Sequence, residues 1–218
     1  MLQLYIGNKN YSSWSLRPWL VLAHAGIPFE ERKVSFNAPD FKAHAGPAGQ
    51  VPVLIDGDLT VWDSLAIVEY LAEKFPDKHL WPAAPAARAV ARSICAELHA
   101  GFPALRNNLA SNMTARLPGR GWNVAVQREI DRVCALWRDA RGRFAGDRGP
   151  FLFGPFSIAD AYYAPVTRRF VTYAVSLPED AARYVDAIAA LPAMQAWLAE
   201  AAAENDFFVD DEPYRLPP

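Results

Sequence analysis

The sequence predicts a small α/β domain followed by an all-helical domain. Up to residue 74, short segments rich in β-forming residues alternate with segments whose apolar residues recur at helical spacing. Prolines interrupt this pattern between residues 76 and 86, and the later segments have helical periodicity. We therefore place the first domain at residues 1–78, a linker at 79–86 and the helical domain at 87–218.

The composition is typical of a folded globular protein and excludes several kinds of partner. Of the 218 residues, 52% are hydrophobic and 21% are charged, and the formal net charge is −2. Because there is no basic excess and no long apolar run, we expect neither a nucleic acid nor a membrane as partner. Cys95 and Cys134 provide neither a disulfide framework nor a metal-binding spacing, so we expect no metal. The N-terminus resembles a strand rather than a signal peptide, which predicts a cytoplasmic location.

The predicted order of elements in the first domain is βαβ-α-ββα. Strands are expected at residues 2–6, 29–34, 51–55 and 59–62. A helix is expected from Ser15, and Gly26 and Pro28 are typical of its end. One or two helical turns at 39–45 and an amphipathic helix at 64–74 complete the domain.

The second domain is predicted to be helical throughout. We expect two long helices at residues 87–114 and 123–145, a helix from Ser157, and shorter helices after Pro178 and Pro192. Ser157 and Asp160 have the spacing of a capping box, which is a folding element. The tail at 206–218 is expected to pack irregularly.

The polar segment Tyr11-Ser12-Ser13-Trp14-Ser15 separates the first strand from the first helix. An ordinary helix cap explains serines at this place, and capping serines are commoner than catalytic ones. In the alternative interpretation, a hydroxyl at the helix N-terminus donates to a thiolate and lowers the pKa of the thiol. A shift of roughly two units makes thiolate the main form near neutral pH.

Two other segments carry groups that can hold an extended peptide. Proline donates no hydrogen to a sheet, so Val51-Pro52 at the start of a strand favours a cis bond and leaves the Val51 backbone facing outward. Asp63 and Ser64 begin the last helix of the domain. They form an ordinary N-cap, and in the functional alternative they hold an amine and a carboxylate that share one carbon.

Taken together, these segments resemble the thioredoxin-like domain of a soluble glutathione transferase. The resemblance rests on the serine motif, Gln50-Val51-Pro52, Asp63-Ser64 and the break at Phe75-Pro76-Asp77. The helical remainder is similar to the second domain of that family. The resemblance implies a thioredoxin-like fold, glutathione as co-substrate, a small electrophile as second substrate, and a homodimer.

Within the family, the serine motif is most similar to the zeta class, which includes maleylacetoacetate isomerases. That class reads Ser-Ser-Cys-Ser-x-Arg where this chain reads Ser-Ser-Trp-Ser-Leu-Arg, so Trp14 replaces the class cysteine. This departure argues against isomerase activity and does not affect glutathione binding. The resemblance implies Ser12 as the residue whose hydroxyl activates the thiol, with Ser13 as its catalytic neighbour. It implies Gln50, Val51, Pro52, Asp63 and Ser64 as glutathione-binding residues.

The second-substrate pocket has no motif of its own. Tyr11, Trp14, Arg106 and Met113 are its expected border, and Tyr11 is also the second candidate for the activating hydroxyl. No cysteine precedes Cys95, which excludes a protein thiol as nucleophile at the first helix. The four histidines are interpreted as structural or surface residues, and Arg17 is expected to form a structural ion pair.

Three functions remain open. The leading hypothesis is a glutathione transferase that activates the thiol for attack on a small electrophile. A glutathione-dependent cis-trans isomerase of the maleylacetoacetate type is the second. The third is a non-catalytic glutathione-binding or ligand-binding protein on the same fold, because a fold does not determine a function.

Overall fold

A computed structural model describes residues 1–215, which form a four-stranded sheet with helices followed by an all-helical part. The last three residues of the predicted helical domain, and of its irregular tail, lie outside this range. The elements of the first part are β1 (Leu2–Ile6), α1 (Ser13–Ala25), β2 (Phe29–Lys33), α2 (Phe41–His44), β3 (Val53–Asp56), β4 (Leu59–Trp62) and α3 (Ser64–Lys74).

The sheet has the strand order β2-β1-β3-β4. β1 pairs in parallel with β2 and antiparallel with β3, and β4 is an antiparallel edge strand. Leu2, Leu4 and Ile6 alternate on the buried face of β1, as a strand with one covered face requires. Gly26 ends α1 in the left-handed conformation that favours glycine. The predicted βαβ-α-ββα order and thioredoxin-like architecture are confirmed.

β3 begins two residues later than the sequence predicts. The bond between Val51 and Pro52 is cis, and the strand starts at Val53 rather than at Val51. Proline has no N–H to donate to β1, so the ladder begins at the first residue that can pair, where Val53 lies opposite Tyr5.

The elements of the helical part are α4 (Pro85–Ala100), α5 (Pro103–Asn108), α6 (Val124–Ala140), α7 (Ile158–Thr172), α8 (Glu179–Ala189) and α9 (Pro192–Ala202). Short 3-10 helices lie at Pro76–Lys78 and Val209–Asp211, and a π-helical turn at Arg141–Ala145 continues α6.

The predicted helix at 87–114 is wrong. α4 ends at Ala100, and Phe102 takes a left-handed conformation before Pro103 begins α5. Proline lacks the N–H that would continue α4, and it is well suited to the first turn of a new helix. Residues 109–123 then form a loop, and this loop approaches the end of β1.

α7 is the central helix of the molecule. It packs against α1 and α4, and most of its residues are buried. The predicted capping box is present, because Asp160 Oδ2 accepts from the Ser157 backbone N–H at 2.8 Å and from the Ser157 hydroxyl at 2.9 Å. The α1–α7 contact brings the two parts of the chain together, and one hydrophobic core extends through both.

The segment after α9 returns to the first part of the chain. Glu204 accepts hydrogen bonds from the backbone N–H groups of Lys9 and Asn10, and Asp206 accepts from Asn8 and Ser35. This segment therefore covers the loop between β1 and α1. Within residues 1–215, no helix has the length and apolar character needed to cross a bilayer.

Candidate functional site

A cleft of about 750 Å³ lies where α1, the β3 start and the α3 start face the helical part. Nearly all the site residues expected from the sequence border this cleft. They are Tyr11, Ser12, Ser13, Trp14, Gln50, Val51, Pro52, Asp63, Ser64 and Arg106. Met113 is the exception: it is buried in the hydrophobic core, and only its backbone meets Asn10 and Arg168. The expectation that Met113 borders the pocket is therefore wrong, because the loop at 109–123 turns its side chain into the core.

The two adjacent serines have different hydrogen-bond partners. Ser12 is the N-cap of α1: its hydroxyl oxygen accepts from Ser15 N–H at 3.3 Å, and its hydrogen goes to Ser15 Oγ at 2.7 Å. Ser13 is the first residue of α1, and its Oγ accepts from Arg169 Nη2 at 3.4 Å. Within residues 1–215, the Ser13 hydroxyl hydrogen has no acceptor. Ser13 therefore has a hydrogen free for a ligand at a positive helix end.

Tyr11 donates its phenolic hydrogen elsewhere. Its hydroxyl lies 2.9 Å from Glu212 Oε1 and 3.2 Å from the carbonyl oxygen of Asp206. Burial, followed by the hydrogen bond to Glu212, raises the pKa of Tyr11. Tyr11 borders the cleft, but its hydroxyl hydrogen is already donated to these acceptors. Tyr11 is therefore a weaker candidate than Ser13 for thiol activation.

The start of β3 presents free backbone groups to the cleft. Within residues 1–215, the N–H and C=O of Val51 form no hydrogen bond. Gln50 and Pro52 flank Val51 along the same wall. An extended peptide can therefore pair with Val51 as an added strand.

The start of α3 combines a carboxylate with a helix N-terminus. Asp63 has φ of 71°, a conformation that a non-glycine residue rarely adopts. Its Oδ1 accepts from the N–H of Leu65 at 2.7 Å, while Oδ2 lies 3.2 Å from His99 Nε2. Its side chain is 44% exposed, so the carboxylate remains accessible to an amine from the cleft.

A chain of hydrogen bonds joins Ser64 to Asp63 through the helical part. Ser64 Oγ lies 2.9 Å from Tyr162 Oη on α7, and Tyr162 Oη lies 3.0 Å from His99 Nδ1 on α4. The other ring nitrogen of His99 meets Asp63. Tyr162 and His99 from the helical part thus hold Ser64 and Asp63 at the α3 start.

Three guanidinium groups border the cleft without a carboxylate partner. Those of Arg17 and Arg169 are buried, and that of Arg106 is half-buried. Arg17 Nε donates to the Tyr162 carbonyl, while Arg17 Nη1 is buried with no hydrogen-bond partner. Arg106 donates to the carbonyls of Leu98 and His99, and Arg169 donates to the Leu109 carbonyl. None of the three forms a salt bridge within residues 1–215. An unpaired buried cation is costly, so this arrangement favours an anionic ligand.

Trp14 separates two of these cations. The guanidinium carbon of Arg17 lies 3.9 Å from the centre of the indole ring, and that of Arg106 lies 4.7 Å away. The face of an indole attracts cations, so Trp14 stabilises two positive groups near each other. This contact gives a physical reason for a tryptophan at this position.

Burial lowers the pKa of all three arginines. The pKa of Arg17 falls to about 9 and that of Arg169 to about 10, with burial as the largest cause. Arg106 is shifted in the same direction. Arg17 and Arg169 therefore remain charged near neutral pH.

The C-terminal segment adds an acid to the same wall. Phe208 and Asp211 border the cleft, and burial raises the pKa of Asp211 to about 6, although Arg169 opposes the shift. The charge of Asp211 in turn raises the pKa of Arg169, against the effect of burial. Its charge state near neutral pH therefore changes the positive potential of the cleft.

Several residues that border the cleft carry no motif in the sequence. His99, Arg169 and Asp211 lie in the helical part, and Arg17 was expected to form a structural ion pair. Only the packing of α4, α7 and the C-terminal segment against α1 brings them together. Cys95 and Cys134 are buried, and burial raises the pKa of both thiols. No cluster of three or more potential metal ligands occurs within residues 1–215.

Both parts of the chain match family models. The model described as "Glutathione S-transferase, N-terminal domain" matches residues 11–74. The model described as "Glutathione S-transferase, C-terminal domain" matches residues 88–200, which is more than half of the chain.

Curated relatives and solved structures are similar to the chain. A stringent starvation protein A homolog from Coxiella burnetii is 28% identical over 84% of this chain and 82% of that protein. A probable maleylacetoacetate isomerase from Caenorhabditis elegans is 30% identical over 61% of this chain and 63% of that protein. A glutathione transferase homolog from Burkholderia GL BGR1, solved with bound glutathione, is 26% identical, with a TM-score of 0.69 over 93% of this chain and 98% of that chain. With both domain models matched along the chain, this protein belongs to the glutathione S-transferase family.

Proposed function

We propose that the protein is a glutathione transferase in which Ser13 activates the thiol of bound glutathione. The observation that carries this proposal is the free hydroxyl hydrogen of Ser13 at the N-terminus of α1. In this proposal, glutathione lies extended, with its cysteinyl backbone on Val51 and its γ-glutamyl end at Asp63 and Ser64. Its sulfur is then held beside Ser13.

Thiol activation and attack follow from this position. The Ser13 hydroxyl and the helix N-terminus stabilise the thiolate, and the thiol proton is released to solvent. A sulfur lone pair forms the new C–S bond with the electrophilic carbon, and the leaving group departs with its bonding electron pair. Holding both reactants in one cleft supplies much of the rate enhancement.

The arginines indicate the class of electrophile. Arg17, Arg106 and Arg169 present positive charge to the cleft without carboxylate partners, and Arg17 Nη1 is buried without a hydrogen bond. A carboxylate satisfies such groups through charge-assisted hydrogen bonds. We infer that the second substrate is a small electrophile that carries a carboxylate.

The proposal is tested by comparing Ser13→Ala with Ser12→Ala. We expect Ser13→Ala to lower kcat/KM for conjugation roughly a hundredfold, because the thiolate loses its hydroxyl donor. Ser12→Ala removes a helix cap and should lower stability by about 1 kcal/mol with a smaller effect on rate. Adduct formation is followed by mass spectrometry. A larger loss of rate in Ser12→Ala would assign the activating role to Ser12, and equal losses in the two variants would contradict an activating role specific to Ser13.

Isomerisation is the second candidate function. Two observations favour it: the arginines Arg17, Arg106 and Arg169 at the cleft, and the similarity to the probable maleylacetoacetate isomerase from Caenorhabditis elegans. In this reaction the thiolate adds to a double bond conjugated to a carbonyl, and the π electrons move to the carbonyl oxygen. Rotation about the new single bond follows, and the enolate then expels the thiolate. Glutathione is thus regenerated, so free thiol stays constant while a cis-enedione acid disappears. Consumption of one thiol per substrate would instead indicate conjugation.

A non-catalytic glutathione-binding protein is the third candidate. It predicts glutathione binding without a change in the thiol pKa and without turnover of any electrophile. The homodimer stays a prediction from the family resemblance. The cytoplasmic location and the domain boundaries at 78 and 86 stay predictions from the sequence pattern.

A further inference from the structure

We propose that binding of the γ-glutamyl group is coupled to uptake of one proton by His99, which is a positioning residue for Asp63 and Ser64. This inference rests on the proposed function, because it assumes that the γ-glutamyl carboxylate and amine bind at the α3 start. The observation behind it is the closed chain of hydrogen bonds from Ser64 through Tyr162 and His99 to Asp63.

With a neutral His99, which the proposal assumes for the unliganded protein, the number of hydrogens in this chain determines their directions before a ligand arrives. A neutral imidazole carries one N–H, and a hydroxyl carries one O–H. The 3.2 Å contact with the Asp63 carboxylate requires the hydrogen on Nε2 of His99. Nδ1 must then accept from Tyr162 Oη at 3.0 Å, and Tyr162 in turn accepts from Ser64 at 2.9 Å. Ser64 therefore has no hydroxyl hydrogen free for a ligand.

A carboxylate at the α3 start reverses these directions. Carboxylates only accept hydrogen bonds, so the Ser64 hydroxyl must turn its hydrogen towards the ligand. Ser64 Oγ then accepts from Tyr162, and Tyr162 accepts from an N–H at Nδ1 of His99. If the N–H at Nε2 of His99 continues to donate to Asp63, both ring nitrogens carry hydrogens. His99 is then an imidazolium, and the added proton comes from solvent.

The charges around His99 come from each element packed against it. Asp63 at the α3 start brings a negative charge to Nε2. Arg106 on α5 donates to the His99 carbonyl at 2.9 Å, and Arg17 on α1 lies over Tyr162, so both guanidinium groups bring positive charge to the same region. Trp14 on α1 contacts the edge of the ring with centroids 5.4 Å apart, and Tyr162 on α7 meets Nδ1. The γ-glutamyl carboxylate adds a negative charge at Ser64, and the γ-glutamyl amine adds a positive charge at Asp63. The proton uptake therefore follows from the hydrogen-bond count and not from the net charge of the ligand.

Calorimetry with S-methylglutathione tests the coupling. This probe has no thiol, so its binding cannot release a thiol proton that would mask the uptake. Titrations near neutral pH in buffers with different ionisation enthalpies give the number of protons taken up per site. We expect a measurable uptake of at most about one proton per site for the unaltered protein, since one ring nitrogen of His99 gains a hydrogen.

Variants identify the group that takes up the proton. His99→Gln keeps a donor and an acceptor, and we expect about tenfold weaker binding with no proton uptake. Tyr162→Phe breaks the chain and should also remove the uptake. His24→Gln, at a histidine outside this cleft, is the matched control and should retain it. Circular dichroism melts establish that each variant is folded.

The possible outcomes separate this inference from the proposed function. If S-methylglutathione does not bind the unaltered protein, the proposed function is overturned together with the inference. If it binds with no proton uptake, only the inference is overturned. Uptake that persists in His99→Gln also overturns it, because another group, such as Asp211, then takes the proton.

Discussion

At the scale of single residues, the difference between Ser12 and Ser13 is a difference in where one hydrogen points. Ser12 uses its hydroxyl within the helix cap, as the ordinary interpretation of a serine-rich turn predicts. Ser13 begins the helix, and its hydroxyl faces the cleft and Arg169. The sequence motif predicts that a serine stands here, but two adjacent serines are indistinguishable until the helix start is known.

The arginines show a limit of motif-based prediction at the same scale. The sequence position of Arg17, one turn into α1, suggests a structural ion pair. Its guanidinium group instead lies against Trp14 and Tyr162, and its Nη1 has no hydrogen-bond partner. Arg169 comes from a helix far away in sequence and has no motif. These arginines make the cleft positive because neither forms a salt bridge with a carboxylate within residues 1–215. A single sequence does not show which arginines the fold leaves without such a partner.

Asp211→Asn tests the positive potential of the cleft through its pH dependence. Burial raises the pKa of Asp211 to about 6, so the side chain is neutral well below pH 6 and negative above it. Above pH 6 this charge opposes a carboxylate ligand near Arg169. We expect Asp211→Asn to lower KM for a carboxylate-bearing electrophile about three- to tenfold at pH 8, with no change at pH 4.5. An uncharged electrophile of similar size is the control, and an equal effect on its KM would contradict the electrostatic explanation.

At the scale of elements, local signals predict most starts and ends. Gly26, Pro178 and Pro192 mark helix boundaries where the backbone chemistry requires them, and α3 spans the predicted 64–74. The break between α4 and α5 is the main failure. The predicted helix at 87–114 runs across Gly101 and Pro103, although proline cannot continue α4 and instead begins α5 there.

Ser157→Ala tests the capping box of α7. Asp160 loses the hydroxyl donor at 2.9 Å, and the helix loses its cap, so we expect about 1 to 2 kcal/mol less stability at pH 7.5. Burial raises the pKa of Asp160 to about 6, despite hydrogen bonds from Leu152 and Ser157 that lower it. A raised carboxyl pKa means that the folded state binds more protons than the unfolded state between about pH 4 and 6, so this group's contribution to stability falls as pH rises through that window.

The loss caused by Ser157→Ala should therefore be smaller at pH 5, where Asp160 is largely protonated and needs fewer donors. Urea unfolding at the two pH values measures it. Asn123→Ala, which removes the cap that accepts from Val126 N–H on α6, is the matched control without a buried carboxylate. A loss from Ser157→Ala that is as large at pH 5 as at pH 7.5 would contradict this account.

At the scale of the whole molecule, the site is built by two parts of the chain. The first part supplies the serines, Val51 and Asp63, and these are predictable because each lies at the end of a local element. The helical part supplies His99, Tyr162 and Arg169, which hold or border those groups. The sequence predicts the order of the two parts, but the faces that meet are determined by long-range packing of α1 against α7.

The central claim is that the cleft binds glutathione and lowers the pKa of its thiol through Ser13. The most direct measurement is the ultraviolet absorbance of the thiolate of bound glutathione as a function of pH. We expect the bound thiol to titrate roughly two units below the ordinary thiol value of about 8.5. Ser12→Ala should retain most of this shift, and Ser13→Ala should lose most of it. A bound thiol that titrates at the same pH as free glutathione in the unaltered protein would contradict the claim.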